Sequence, residues 1–157
     1  MSKRCWIISV LALAAILCTI FIFSNSLKEP SDSIRDSDVF VRFIEKMVNK
    51  IDPNNDWDWS FIVRKSAHLF EFFLLGVVLL LLLRKTGMKQ LQACVVSLVI
   101  AVGIAATDEY IQSFVGRGSC INDVVVDTTG AFLGVALVVM VNVLLVRKQA
   151  NKTSATD

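Results

Sequence analysis

Residues 63–83, VRKSAHLFEFFLLGVVLLLLL, decide the fold. The stretch opens with a lysine, a histidine and a glutamate three residues apart, then runs apolar to five leucines before Arg84-Lys85. At a rise of 1.5 Å per residue, about 20 mainly apolar residues cross a hydrocarbon layer of ~30 Å, and this segment has that length. Working outward, Trp6 to Phe23 forms an uncharged run of 18 residues. Two further apolar segments extend from about Leu91 to Val115 and from about Cys120 to Val146; each contains carboxylates, so its mean hydropathy understates it. Apolar residues make up 55% of the 157 and charged residues only 19%, more apolar surface than a water-soluble domain of this size could hide. The pattern predicts an all-α fold: an integral membrane four-helix bundle, a single domain over residues 1–157, with spans at about 6–23, 63–83, 91–115 and 120–146 and an outer loop at 27–60.

The first span has one competing reading. Lys3-Arg4 and the small residues Ser24-Asn25-Ser26 resemble the ends of a cleavable leader, but the apolar run is long for one and Leu17 before Cys18 rules out a lipobox. It reads as a retained helix. Lys3 and Arg4, then Arg84, Lys85 and Lys89, then Arg147, Lys148 and Lys152 fall on one side of a four-span chain, and the opposite short loop holds Arg117 alone. By the bias of basic residues toward the cytoplasm, both termini are expected inside a cell membrane and the 27–60 loop outside. In that loop Val39, Phe43, Met47 and Ile51, beside Phe40, Ile44 and Val48, mark an extracytoplasmic amphipathic helix between the first and second spans, with Ser37 or Asp38 as its cap. Trp57, Trp59 and Phe61 then supply an interfacial aromatic belt. The tail after Lys148 reads as short, polar and disordered. Cys5, Cys18, Cys94 and Cys120 lack the spacing of a disulfide framework or zinc motif, and the single histidine, His68, excludes a multi-histidine metal site within one chain.

Charged side chains in hydrocarbon are costly, face protein or water, and usually have a task. Lys65, His68 and Glu71 lie within an arc of about 120° on the second span. On the third, Asp108 and Gln112 are four apart, with Glu109 adjacent and Ala101 and Ala105 continuing that side. On the fourth, Asp123, Asp127, Gly130 and Gly134 share an arc of about 60°, and Gly130-x-x-x-Gly134 permits close helix approach. Counting rise per residue places Glu71, Asp108 and Asp127 each about 9–10 Å in from the outer side. Arg117, in the turn Gly116-Arg117-Gly118, can reach back toward them, and Ser24, Asn25 and Ser26 end the first span at the same face.

Each feature also has a plainer reading. Lys65 can snorkel, Glu71 can pair with Lys65 or His68 as helix glue, the glycines can serve packing alone, and Asp123 can favour a helix N-terminus. Glu71, Asp108, Glu109, Asp123 and Asp127 nevertheless outnumber Lys65, Arg117 and a protonated His68. Bound protons, a bound ligand, or a divalent cation of the magnesium, calcium or manganese type on Asp123 and Asp127 with Asp108 and Glu109 would each balance that charge.

At these residues the chain resembles the VanZ-like family. The matching stretches are Arg64-Lys65-Ser66-Ala67-His68-Leu69-Phe70-Glu71-Phe72, then Asp108-Glu109-Tyr110-Ile111-Gln112-Ser113-Phe114-Val115-Gly116-Arg117, then Asp123-Val124-Val125-Val126-Asp127-Thr128-Thr129-Gly130, with Phe23-Ser24-Asn25-Ser26 ending the first span. Val115 and Asp127 depart from the proline and asparagine frequent in that family, and the aspartate removes any role that needs a neutral amide. The resemblance implies a link to resistance against teicoplanin, a lipid-bearing glycopeptide, without defining a reaction.

Three function classes follow. As a hydrolase or transferase on a lipid-linked envelope molecule, the chain would use His68 with Glu71, Asp108 or Glu109 for catalysis, Lys65, Gln112, Arg117 and Ser24 to hold substrate, and Asp123 and Asp127 for a metal. As a binding protein it would hold a membrane lipid, a lipid-linked cell-wall molecule or a lipoglycopeptide antibiotic through the same groups; no nucleic-acid partner is expected. An ion or proton pathway ranks last, because Leu79 to Leu83 and Val135 to Val141 continue no polar track.

Overall fold

The computed structural model describes residues 2–28, 41–42, 46, 58–115 and 121–153. Among the described residues four helices carry the fold: α1 (Lys3–Ser26), α2 (Trp59–Thr86), α3 (Gln90–Phe114) and α4 (Ile121–Thr153). All four are long and apolar enough to cross a membrane, and the chain is a multi-pass membrane protein. The predicted amphipathic helix and its cap fall largely outside the described residues.

α1 and α2 overshoot their apolar runs because local chemistry extends them, whereas α3 keeps the length of its run. Ser2 caps α1 by accepting from the Cys5 amide at 3.3 Å. Asp58 caps α2 through the Phe61 amide at 3.0 Å, drawing Trp59 and Ser60 into the first turn. α2 stops at Gly87, whose φ of 104° suits a residue without a side chain. There the Gly87 amide donates to Arg84 O and the Met88 amide to Leu83 O, a double closure of the last turn. The Arg4 side chain donates to Lys85 O at 3.0 Å, tying the start of α1 to the end of α2.

The tail is a correction. The residues after Lys148, expected to be disordered, instead continue α4 to Thr153. Arg147, Lys148, Gln149 and Ala150 are strong helix formers, and cations near a C-terminus are favoured by the helix dipole.

α2 is the central helix, touching α1, α3 and α4, and its contact with α4 is the most extensive. α2 and α4 run in the same sense, with Leu69 against Gly130 and Phe73 against Gly134. The interior is made of small residues, with Ala93, Ala101, Ala105, Ala131 and Ser97 fully buried around Phe72, Leu75 and Leu80. Large side chains such as Leu13, Phe21, Val99, Phe132 and Leu144 face outward. Lipid is as apolar as leucine, so dispersion at close backbone approach, rather than expulsion of water, holds such helices together.

Candidate functional site

The C-terminal ends of α1 and α3 and the N-terminal ends of α2 and α4 lie at one end of the bundle, and the polar residues gather there. Asp108 on α3 is fully buried. Its Oδ1 accepts from Ser26 Oγ of α1 at 2.5 Å, and its Oδ2 accepts from Gln112 Nε2, one turn along α3, at 2.7 Å. Gln112 also donates to Ser26 Oγ at 3.4 Å, closing a three-residue network between two helices. A hydrogen bond on each oxygen fixes the orientation of Asp108.

Glu71 on α2 takes a second contact from α1. Asn25 Nδ2 donates to Glu71 Oε1 at 2.8 Å. The other carboxylate oxygen, Oε2, is fully enclosed, makes no hydrogen bond, and lies 4.0 Å from His68 Nδ1. That separation exceeds a direct hydrogen bond but is an ion-pair distance when the ring is protonated. Lys28, just beyond α1, is near enough to act on Glu71 electrostatically.

α4 brings two aspartates with different surroundings. Asp123 forms an ion pair with Lys65, both about one-fifth exposed, and the Lys65 ammonium sits 5.3 Å from the centre of the Phe61 ring. This is the rim of the site. Asp127, one turn deeper, is 2% exposed. One ligating atom from each of His68, Asp108 and Asp127 lies within 4.8 Å of the other two. Three helices thus deliver an imidazole and two carboxylates to one point, with Glu71 beside the imidazole.

Other predicted positions divide. Glu109 is buried, at 4% exposure. Ser24 does not join the group: it is exposed, and its hydroxyl donates to Phe21 O at 2.8 Å in its own helix. Arg117 lies outside the described residues. The α1 groups that do reach the site are Asn25 and Ser26. Ala15, Ile22 and Ser26 form the buried stripe of α1, at spacings of seven and four, and Ser24 stands well off it; helical phase separates the two serines once the rotation of α1 is known.

The VanZ/LLP1 family model matches residues 9–144, most of the chain and all four helices. The chain belongs to the VanZ/LLP1 family. None of the curated proteins and none of the solved structures matches it. In this VanZ/LLP1 chain the three stretches that carry the likeness supply the interior groups Glu71, Asp108 and Asp127, and Phe23-Ser24-Asn25-Ser26 supplies the two hydrogen bonds that reach them from α1. An imidazole between carboxylates can exchange protons, and oriented carboxylates can hold a cation or accept from an amine or hydroxyl.

Proposed function

We propose that this VanZ-like chain is a cell-envelope protein. Its polar site faces outward within the membrane and engages the head group of a lipid-linked envelope molecule or of a lipoglycopeptide such as teicoplanin. One observation carries the reading: the side chains of Asn25, Ser26, His68, Glu71, Asp108, Gln112 and Asp127 are gathered from all four helices at one end of an otherwise apolar bundle. Such groups cost several kcal/mol apiece in hydrocarbon, and helix association needs none of them, since small residues suffice for packing.

Two features support the direction and the ligand class. Lys3, Arg4, Arg84, Lys85, Lys89, Arg147 and Lys148 all lie at the opposite end of the bundle, which favours that end as the cytoplasmic one. An apolar groove of about 350 Å³, lined by Val124, Val125, Thr128, Thr129 and Phe132, lies on the helix that carries Asp123 and Asp127 and suits an acyl chain.

Whether a bond is broken is decided by Glu109→Gln, which keeps the size of a buried side chain and removes its charge. Membrane lipids and teicoplanin from cells carrying wild-type or Glu109→Gln protein are compared by mass spectrometry, alongside teicoplanin susceptibility. A product that disappears with the variant identifies an enzyme on that molecule. Graded loss of resistance without any product identifies a binding site. Equal susceptibility and equal lipid profiles in cells with wild-type, variant and no protein would remove the reading altogether.

A further inference from the structure

Several polar atoms in the interior lack a hydrogen bond, Glu71 Oε2 among them, and the buried carboxylate of Asp127 lies beside them. It is 2% exposed, and among the described residues it makes no hydrogen bond and no ion pair. The nearby charges acting on it include Asp108, Glu109 and Asp123, all of its own sign, opposed by Lys65, and Lys65 is engaged by Asp123. A buried carboxylate without a partner is costly, and a protonated one would still leave a donor unused. A cation on Asp127 answers both.

The neighbours of Asp127 fit a metal ion better than an organic cation. The converging atoms are one imidazole nitrogen and two carboxylate oxygens, within 4.8 Å of one another. Bonds of about 2.0–2.2 Å to one ion place ligand atoms roughly 3–3.5 Å apart, a contraction that side-chain rotation can supply. Asp108 is already held on both oxygens by Ser26 and Gln112. Each oxygen keeps a second lone pair, and hydrogen bonds of this kind are what aim ligating carboxylates. A ligating histidine commonly turns its other ring nitrogen to a carboxylate. Glu71 Oε2, enclosed and without a hydrogen bond, stands 4.0 Å from His68 Nδ1.

We propose that His68, Asp108 and Asp127 form a binding site for a divalent transition-metal ion between α2, α3 and α4. The imidazole favours zinc or iron over the all-oxygen chemistry of calcium and magnesium, and Mn²⁺, which the two carboxylates suit, serves as a spectroscopic probe. The site differs from the pairing of Asp123 with Asp127 that the sequence suggests, because Asp123 is engaged by Lys65 at the rim. It goes beyond the head-group reading and does not require it.

The test is metal content and titration of full-length protein purified in detergent without chelators. Elemental analysis should find about one transition-metal ion per chain in wild type, or in the stripped protein after dialysis against Mn²⁺ or Zn²⁺. Asp123→Asn should keep it. Asp127→Asn and His68→Ala should weaken Mn²⁺ binding by at least about 10-fold, read by electron paramagnetic resonance. Where a variant does not elute as a folded species, the wild-type Mn²⁺ spectrum decides instead: nitrogen coupling from the imidazole supports the site, and its absence overturns it. Wild-type protein that takes up neither ion overturns the proposal, as does a folded Asp127→Asn with undiminished affinity. Ion-free protein that still protects cells from teicoplanin would remove the ion and leave the head-group reading standing; loaded protein with no effect on lipids or susceptibility would do the reverse.

Discussion

The pairing of α2 with α4 changes character along its length. Toward its middle the two helices meet backbone to backbone: Gly76 lies against Ala131, Gly134 against Phe73 and Gly130 against Leu69, each so closely that no side chain would fit. Within a turn or two of Gly130 the same helices carry His68 and Glu71 opposite Asp127, with Lys65 and Asp123 at the rim. The glycine seam gains stability from dispersion, at the expense of the freedom that glycine loses on ordering. The polar end gains little of that, and its buried carboxylates oppose insertion. A rigid seam immediately beneath a costly cluster is the arrangement expected when a site must be held to a fixed geometry.

The largest effect should come from filling the seam. In Gly130→Val the new side chain meets the Leu69 backbone, which cannot give way as a flexible side chain would. We expect a loss of about 3 kcal/mol or more, read as a drop in the temperature at which protein in detergent stops eluting as one monodisperse species. Gly103 has open space where a Cβ would go, so Gly103→Ala should leave that temperature unchanged or slightly higher. Equal tolerance of both substitutions would end the contrast between seam and surface. A middle-sized effect is expected from Asp108→Ala, which strips the acceptor from Ser26 and Gln112. Leaving buried donors unsatisfied should cost about 2 kcal/mol by the same measurement. A gain in stability would mean instead that the polar end is sustained by function alone.

The halves of the molecule were unequally legible in the sequence. Four apolar runs fix four helices because a hydrocarbon layer imposes one length, and the three-residue spacing of Lys65, His68 and Glu71 fixes one face. Ala101 and Ala105 were identifiable as interior by sharing a side with Asp108, and both are fully buried. The contacts between helices were not legible. Nothing in the spacing of α2 chooses between Lys65 pairing with Glu71 and Lys65 pairing with Asp123; that depends on how α2 and α4 are staggered, which the glycine contacts set. The choice among Ser24, Asn25 and Ser26 likewise turns on the rotation of α1, whose uniformly apolar surface carries a weak directional signal. Polarity alone does not reveal the helical tail after Lys148, because helix propensity and the favourable dipole continue α4 where the apolar pattern stops.

The smallest effect belongs to the rim and locates its boundary with the interior. Lys65 and Asp123 keep about one-fifth of their side chains exposed, so water and salt screen the pair. The ammonium also sits over the Phe61 ring, where a partly exposed contact adds less than about 1 kcal/mol. Lys65→Met keeps the aliphatic stem and removes the charge. The loss should be no more than about 1 kcal/mol, and the difference from wild type should shrink in 1 M salt as the Debye length contracts to about 3 Å. A salt-independent loss well above that would mean the pair is desolvated. Lys65 and Asp123 would then belong with Asp127 in the interior, and the site would begin a full turn nearer the end of the bundle.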